Sequence, residues 1–583
     1  MFAHISLCIF AATLGQAPSG TTDVWLKAVP GDVDVVVRSR GFDPTSRDLI
    51  DMIKAMSPRA AGAAVPAISR FLDPLRSQYG ENAMKTPWVA LARAVPPGPD
   101  GVIPFAVLVM KDDYQDVLKT LAAGKEVAPR AQEGGFDEID NPRGGGPWYS
   151  FKGAGYVAVG PDKELIGAIA GPGGKSLDAV LTPALAEPFL TGDVGVFVNV
   201  ERLAKRYADP IAQARQAFMA ALDQAEQKNP DGPSMKGVKD MYGGLFDALE
   251  DAGSLALGLD FAAEGLKTAG RLDMKPGEAA VKEIAASRND AAELDKLAAG
   301  AAFYMYMNMD ASFVETMQNM SLRMLNPNRK PVPEMDLALK RFHELGRVET
   351  LGTASFENGM RAFNLIHADD PKEYIAASRA MLLAMKGADG PLNLYKDVKV
   401  EPDAQNDRGV SFTRVTAVFD AEKLEKLGAA GNGASSFKAM FGGDSMSYWI
   451  GVDGDCVIHI TTPTWEQAKA QIDAFKNGES PVGKTPAFKA VRSGLADRAS
   501  FMMIVDAQGF ARMIAAQLSA SLNKPELKDL AGLPREPAFF GLSLTPRAPN
   551  GYEFRFSLPS PVVPVFENGM VPLFRNLQRP VNQ

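Results

Sequence analysis

The run AIAGPGGKSLDAV, residues 168–180, closes a glycine-rich stretch with Gly-Lys-Ser. That grouping is how a phosphate loop turns backbone amides and a lysine toward nucleotide phosphates. Such a loop also needs a glycine five positions before Gly174, where this chain has Ile169, and a strand leading in, where DKELIGAIAG reads as a helix. GPGG is therefore expected to be a helix stop.

Histidine and cysteine are scarce. Beyond His4 and Cys8 the chain carries His343, His367, His459 and Cys456. HELGR at 343–347 lacks the second histidine of a zinc-protease helix, since Arg347 stands in its place. GDCVIHI brings Cys456 and His459 together as a nucleophile and base or as two metal ligands, but residues three apart on a strand point to opposite faces. A buried cysteine and a partly buried histidine are expected instead. VDGDCVIHI opens like a calcium loop at Asp453 and Asp455, yet Ile458 occupies the sixth place, which requires glycine. No Gly-x-Ser-x-Gly elbow occurs, and GNGASS at 431–436 does not match a dinucleotide loop. Catalytic residues are left unassigned, and neither a cofactor nor a metal site is expected.

Two other groups carry chemistry. Asp112 and Asp113 recur as Asp369 and Asp370 where a strand gives way to a helix, a place where a carboxylate caps free amides and meets the positive end of the helix dipole. FYMYMNMDASFVETMQNMSLRM sets Phe303, Met305, Met307 and Met309 on one strand face, and Met317, Met320 and Met324 on one helix face. Thioethers in that number select Cu(I), fill an irregular core, or line a surface for an apolar ligand. Met305, Met307, Met309, Met317 and Met320 are the candidate apolar-ligand surface.

The elements that hold these residues come in two sets. WLKAVPGDVDVVV at 25–37 resembles LDKLAAGAAFYMYMN at 294–308, each a lead into an alternating strand. DGVIPFAVLVMKDDYQDVLKTL and NGMRAFNLIHADDPKEYIAASRAML both open on a turn pair and run through a strand into a helix. WYSFKGAGYVAVGPDKELIGAI parallels YWIGVDGDCVIHITTPTWEQAKAQI, with Pro161 and Pro463 expected at first helical positions. TPAL at 182 and TPAF at 485 precede further strand-helix units, and each half closes on a hairpin turning at Glu264-Gly265 or Asn550-Gly551.

This order predicts an α+β protein of two homologous modules, 22–276 and 294–560, each a largely antiparallel sheet of hairpins and strand-helix units with helices packed on it. Residues 277–293 are expected to link them as a helix, and 561–583 to form a proline-rich tail. Asp209 to Gly253 is expected to hold long helices with Met235, Val238, Tyr242, Leu245 and Leu249 on one face.

Composition narrows the partners. At 583 residues with 46% hydrophobic and 23% charged content the chain can bury ample core, while a net charge of −8 leaves no basic footprint for nucleic acid. The apolar run Ile5–Leu14 ahead of Gly15 and Ala17 reads as a signal peptide over 1–17, so export to the periplasm or beyond is expected. No later stretch is long and apolar enough to span a membrane. Signal removal would leave Cys456 alone, with no disulfide to stabilise the fold.

PFAVLVMKDDYQDVLKTL, GPWYSFKGAGYVAVGPDKE, GDVGVFVNVERLAKRY and LALGLDFAAEGLKTAGRLDM, with the signal-like start, resemble uncharacterised exported bacterial proteins carrying domains of unknown function. That resemblance implies a two-fold α+β architecture and brings no activity with it. The expected role is a non-enzymatic binding or structural component of the cell envelope, meeting a protein or an apolar ligand there. The alternatives are a carrier or sensor of an apolar ligand, and a hydrolase whose site is assembled from distant residues.

Overall fold

A computed structural model describes residues 22–571 apart from 95–103, 123, 142–145, 172, 229–238, 240–241, 244–245, 248–249, 276–289, 311–332, 357–358, 388–394, 428–432, 523, 525–535 and 548–550. The segment expected to be a signal peptide and most of the expected linking segment thus lie outside the described residues. The fold is α+β, built on antiparallel strands. Two compact units divide the chain: Met1–Ile211, Ala248–Lys282 and Arg547–Arg555 form the first, and Ala212–Asp247, Glu283–Pro546 and Phe556–Gln583 the second.

The first unit contains β1 (Val35–Ser39), β2 (Trp88–Ala92), β3 (Phe105–Val109), β4 (Arg130–Ala131), β5 (Asp137–Ile139), β6 (Trp148–Lys152), β7 (Val157–Gly160), β8 (Val194–Val198), β9 (Ala252–Ala262) and β10 (Gly265–Met274). They lie in the order β4-β5-β6-β7-β3-β2-β1-β8-β9-β10, every pairing antiparallel. The second contains β11 (Phe303–Asp310), β12 (Arg347–Ser355), β13 (Arg361–Ala368), β14 (Tyr395–Asp407), β15 (Val410–Phe419), β16 (Ser445–Asp453), β17 (Cys456–Thr461), β18 (Phe501–Asp506) and β19 (Phe539–Arg547). Their order is β14-β15-β16-β17-β13-β12-β11-β18-β19, again antiparallel throughout. In the chain β20 (Gly551–Pro559) follows β19 as β10 follows β9.

The two strand orders coincide position by position, and so do the hydrogen bonds that fix them. Asp34 N–H donates to Ala92 O at 3.1 Å, and Ala302 N–H to Ala354 O at 3.0 Å. Asn199 N–H reaches Asp34 O at 2.8 Å, and Asp506 N–H reaches Ala302 O at 2.8 Å. Asn199 and Asp506 then each accept from amides at the start of the following helix. By this register Val35 in β1 holds the place of Phe303 in β11.

Each sheet buries one face on its own core. In the first, Val36, Leu91, Leu108 and Phe197 meet Leu165, Leu185 and Phe189 of the covering helices. In the second, Tyr304, Tyr306, Leu351 and Ile458 meet Ile472, Phe488 and Val491. Leu185 of TPAL and Phe488 of TPAF both end fully in the core. The helix Pro183–Leu190 lies against strands that carry glycine beneath it: a Cβ on Gly195 would sit 1.9 Å from Phe189 O. Arg38 ties down its end, donating to Phe189 O at 3.2 Å, Thr191 O at 3.1 Å and Gly192 O at 2.8 Å. A cation suits those last carbonyls, and burial brings the guanidinium down to about 10.

The second aspartate of each pair caps a helix. Asp113 accepts from Asp116 N–H at 2.9 Å at the start of Tyr114–Leu121, and Asp370 accepts from Lys372 and Glu373 N–H, both at 3.0 Å, at the start of Pro371–Gly387. Pro161 and Pro463 do not stand at first helical positions. Asp162 and Thr464 supply the N-caps, so each proline sits one residue before the cap; the Asp162 side chain accepts from two orphan amides and that of Thr464 from one, which a proline at the first position could not do. The expected linking helix is described only at its end, where Asp290–Lys296 is a 3₁₀ helix. In the region expected to carry long helices, Ala208–Lys228 is helical and its Phe218 ring lies 4.5 Å from Tyr242; Met235, Val238, Leu245 and Leu249 lie outside the described residues. The proline-rich end begins as a helix, Val562–Val565, and Val562, Val565 and Met570 are buried on Ala507, Ala511 and Ala515. Among the described residues no helix is long and apolar enough to cross a membrane.

Candidate functional site

β11 divides its residues cleanly between two environments. Tyr304, Tyr306 and Asn308 point into the core of the second unit and are buried, while Met305 and Met307 point to the other face and remain half-buried. Register then assembles a strip around them. Met305 is opposite Met503 and Met307 opposite Phe501 in β18, and these are opposite Leu542 and Leu544 in β19. Side chains directly opposed on an antiparallel pair have Cβ atoms about 5 Å apart, so the six form one continuous surface. Phe501, Met503 and Leu542 are half-buried as well, and Leu544 is 36% exposed. On the other flank β12 presents only Thr350 and Gly352, which leaves the thioethers uncrowded from that side.

Of the methionines expected to make this surface, Met305 and Met307 are in it. Met309 is on β11 opposite Val348, with its side chain undescribed, and Met317 and Met320 lie outside the described residues. Phe501, Met503, Leu542 and Leu544 were not anticipated. The alternation of FMMIVD and FFGLSL showed which of their residues share a face, but not which strands would be neighbours.

The first unit buries part of the corresponding face, where Val196, Leu257 and Leu259 stay half-buried. The register places Val37, Ser39, Val194, Val196, Leu257 and Leu259 there, and Val37 and Val194 are buried in a cluster with Phe42, whose ring lies 5.6 Å from Trp88. Branched aliphatic side chains beneath a packed aromatic make a fixed core. Unbranched thioethers at the same places make an adaptable surface.

The ionisable candidates are arranged differently. Cys456 and His459 do point to opposite faces: Cys456 packs against the core that holds Tyr304, whereas His459 lies 5.4 Å from the Tyr448 ring on the other side. Register instead lines up Asn308, Glu349, His367, Cys456 and Asp453 across β11, β12, β13, β17 and β16. A carboxylate, an imidazole and a thiol in a row have the composition of a nucleophilic triad. Their chemistry is turned elsewhere. Burial and the neighbouring Asp453 push the Cys456 thiol up to about 11, so it stays protonated at neutral pH. Glu349 accepts from the Tyr306 hydroxyl at 2.5 Å, and Asn308 donates to that hydroxyl at 3.2 Å. Burial holds His459 neutral, its imidazole brought down to about 4. Side-chain Nδ1 of His367 is buried without a hydrogen-bond partner. Among the described residues no three His, Cys, Asp or Glu side chains are placed to hold a metal ion. GPGG follows the helix Lys163–Ala170, whose C-cap is Gly171, in keeping with a helix stop.

Two cavities lie away from the strip. One of about 580 Å³ opens between the helices Phe42–Met56 and Pro58–Lys85, rimmed by Asp43, Arg47, Asp51, Lys54, Arg76 and Lys85. Its charges largely answer one another, Arg76 with Asp43 at 2.7 Å and Lys54 with Asp51 at 3.7 Å. The other, about 140 Å³ beside Ile458 and Ile472, is smaller than the ~300 Å³ at which ligand pockets begin.

No family model matches the chain, and no curated protein matches it. Among solved structures, "Structure of crystal form III of TP0453" is similar at 9% identity over 45% of this chain and 83% of that one, with a TM-score of 0.22. A likeness at that score carries no argument about fold or function.

Proposed function

We infer that the protein is a non-enzymatic binding component of the bacterial envelope, and that it holds an apolar ligand on the β11-β18-β19 face of its second unit. The observation that carries this reading is the strip itself: three thioethers, a phenylalanine and two leucines aligned by register and partly open. Contiguous partly exposed apolar surface of this kind costs solubility unless something occupies it. The protonated Cys456 thiol and the neutral His459 support a binding role over a catalytic one. The signal-like Ile5–Leu14 run supports export. The coincident strand orders and hydrogen bonds support descent of both units from one duplicated module, with the second specialised by its methionines.

The reading is tested with N-phenyl-1-naphthylamine, an apolar dye that brightens on leaving water. The intact protein is expected to bind it saturably, and Met305→Glu with Met503→Glu to weaken binding at least ten-fold while circular dichroism stays unchanged. Equal binding by the variant would remove the strip as the site.

A further inference from the structure

The strip carries its sulfur atoms in an arrangement that separates them chemically from Met502 of the same sheet. Met503 is half-buried on the open face, while Met502, the adjacent residue in β18, is fully buried in the core. Met305 lies directly across from Met503, and Met307 is next on the same face of β11. Met84 and Met570 are also buried. Thioether oxidation requires an oxidant to reach the sulfur, so accessibility sorts these residues into two classes.

We propose that Met305, Met307 and Met503 form a peroxide-oxidisable patch that switches the strip from apolar to polar and releases what it holds. The release rests on the reading of the strip as a binding surface; the patch rests on geometry alone. In the reaction a sulfur lone pair attacks one peroxide oxygen and the O–O bond breaks. A sulfoxide forms, sulfur loses two electrons, and the peroxide is reduced to water, or to an alcohol where it is an alkyl hydroperoxide. Each event places a strong S=O dipole and a new stereocentre on a surface otherwise made of hydrocarbon and thioether. Three neighbours on one sheet face make the change collective: Met305 and Met503 are cross-strand partners, so oxidising either sets a polar group against the other. Leucine or valine in these places, as at Val37 and Val196 of the first unit, carries no oxidisable sulfur and could not be switched. Reduction by a methionine sulfoxide reductase would restore the surface.

The test titrates the intact protein with hydrogen peroxide and maps each methionine by peptide mass spectrometry, with dye binding measured on the same samples. Met305, Met307 and Met503 are expected to gain one oxygen at peroxide concentrations at least ten-fold below those needed for Met502. Dye binding is expected to weaken at least ten-fold in step and to return after reductase treatment. A variant with Met305→Leu, Met307→Leu and Met503→Leu, compared with its own untreated state, should lose no dye binding through the same treatment. Oxidation of Met502 and Met503 together overturns the patch, and equal dye loss by the leucine variant overturns the switch. If the untreated protein never binds dye, the binding reading and the release fail together, while the order of oxidation still decides the patch.

Discussion

Replacing Phe488 by alanine is expected to destabilise the second unit by about 3 to 5 kcal/mol, the usual cost of emptying a large aromatic from a packed core. Phe488 is fully buried. Its ring lies 5.3 Å from Tyr304 and 5.6 Å from Phe539, and those two are 6.0 Å apart, so three aromatics on β11, β19 and the helix Pro486–Arg492 meet at one point. Neither neighbour can collapse into the space. The Tyr304 hydroxyl donates to Ala298 O at 3.2 Å and accepts from Ala301 N–H at 3.1 Å, and Phe539 is held in the β18-β19 ladder. A residual cavity therefore adds to the lost transfer energy. Phe488→Leu keeps most of the volume and should cost about 1 to 2 kcal/mol. Urea unfolding followed by fluorescence reports the effect through Trp449 and Trp465, both packed in this core. A loss below about 1 kcal/mol for the alanine variant would mean that the trio is not the centre of the unit.

The second large effect is a pH dependence centred on Asp193 in the first unit. Its carboxylate is completely buried, accepts from Phe261 N–H at 2.6 Å and pairs with Arg40 at 2.7 Å. Burial is the larger influence and pushes the carboxyl up from 3.8 to about 6, against the opposing effects of the amide and the guanidinium. Between about pH 4 and 6 the folded protein then holds a proton that the unfolded chain has released. Stability falls as pH rises through that window and levels off above it, with an amplitude of roughly 2 to 3 kcal/mol. Asp193→Asn removes the titrating group and keeps an oxygen for Phe261 N–H. The difference between wild type and Asp193→Asn in urea melts from pH 4 to 8 isolates this site from all other carboxylates. It is expected to fall by that amplitude and then flatten. A difference that rises with pH would show that the Arg40 pair, and not burial, governs the carboxylate.

What the sequence revealed and what it withheld divide along one physical line. Strands and caps depend on neighbours in the chain: FYMYMNMD alternates, so its two faces were legible, and an aspartate where a strand becomes a helix has amides within reach of its own side chain. The prolines stand two residues before the first helical position for the same local reason, since Asp162 and Thr464 take the cap. Neighbours across the sheet depend on register between strands far apart in the chain, which no local pattern encodes. Met305 could be placed on a face, but not beside Met503 and Phe501. His367 was visible as a histidine, but not as the residue between Glu349 and Cys456. At the start of the proline-rich end Val562 and Val565 supply apolar contacts that dock it on Ala507 and Ala511, partners too distant in the chain for a local pattern to show.

The most direct measurement is native mass spectrometry of the processed protein, purified without detergent from the cells that make it. Added mass corresponding to an apolar molecule, retained by the wild type and absent from the Met305→Glu, Met503→Glu double variant, is the result this account predicts. A wild type that flies at its bare polypeptide mass and gains nothing when offered an apolar ligand would contradict it.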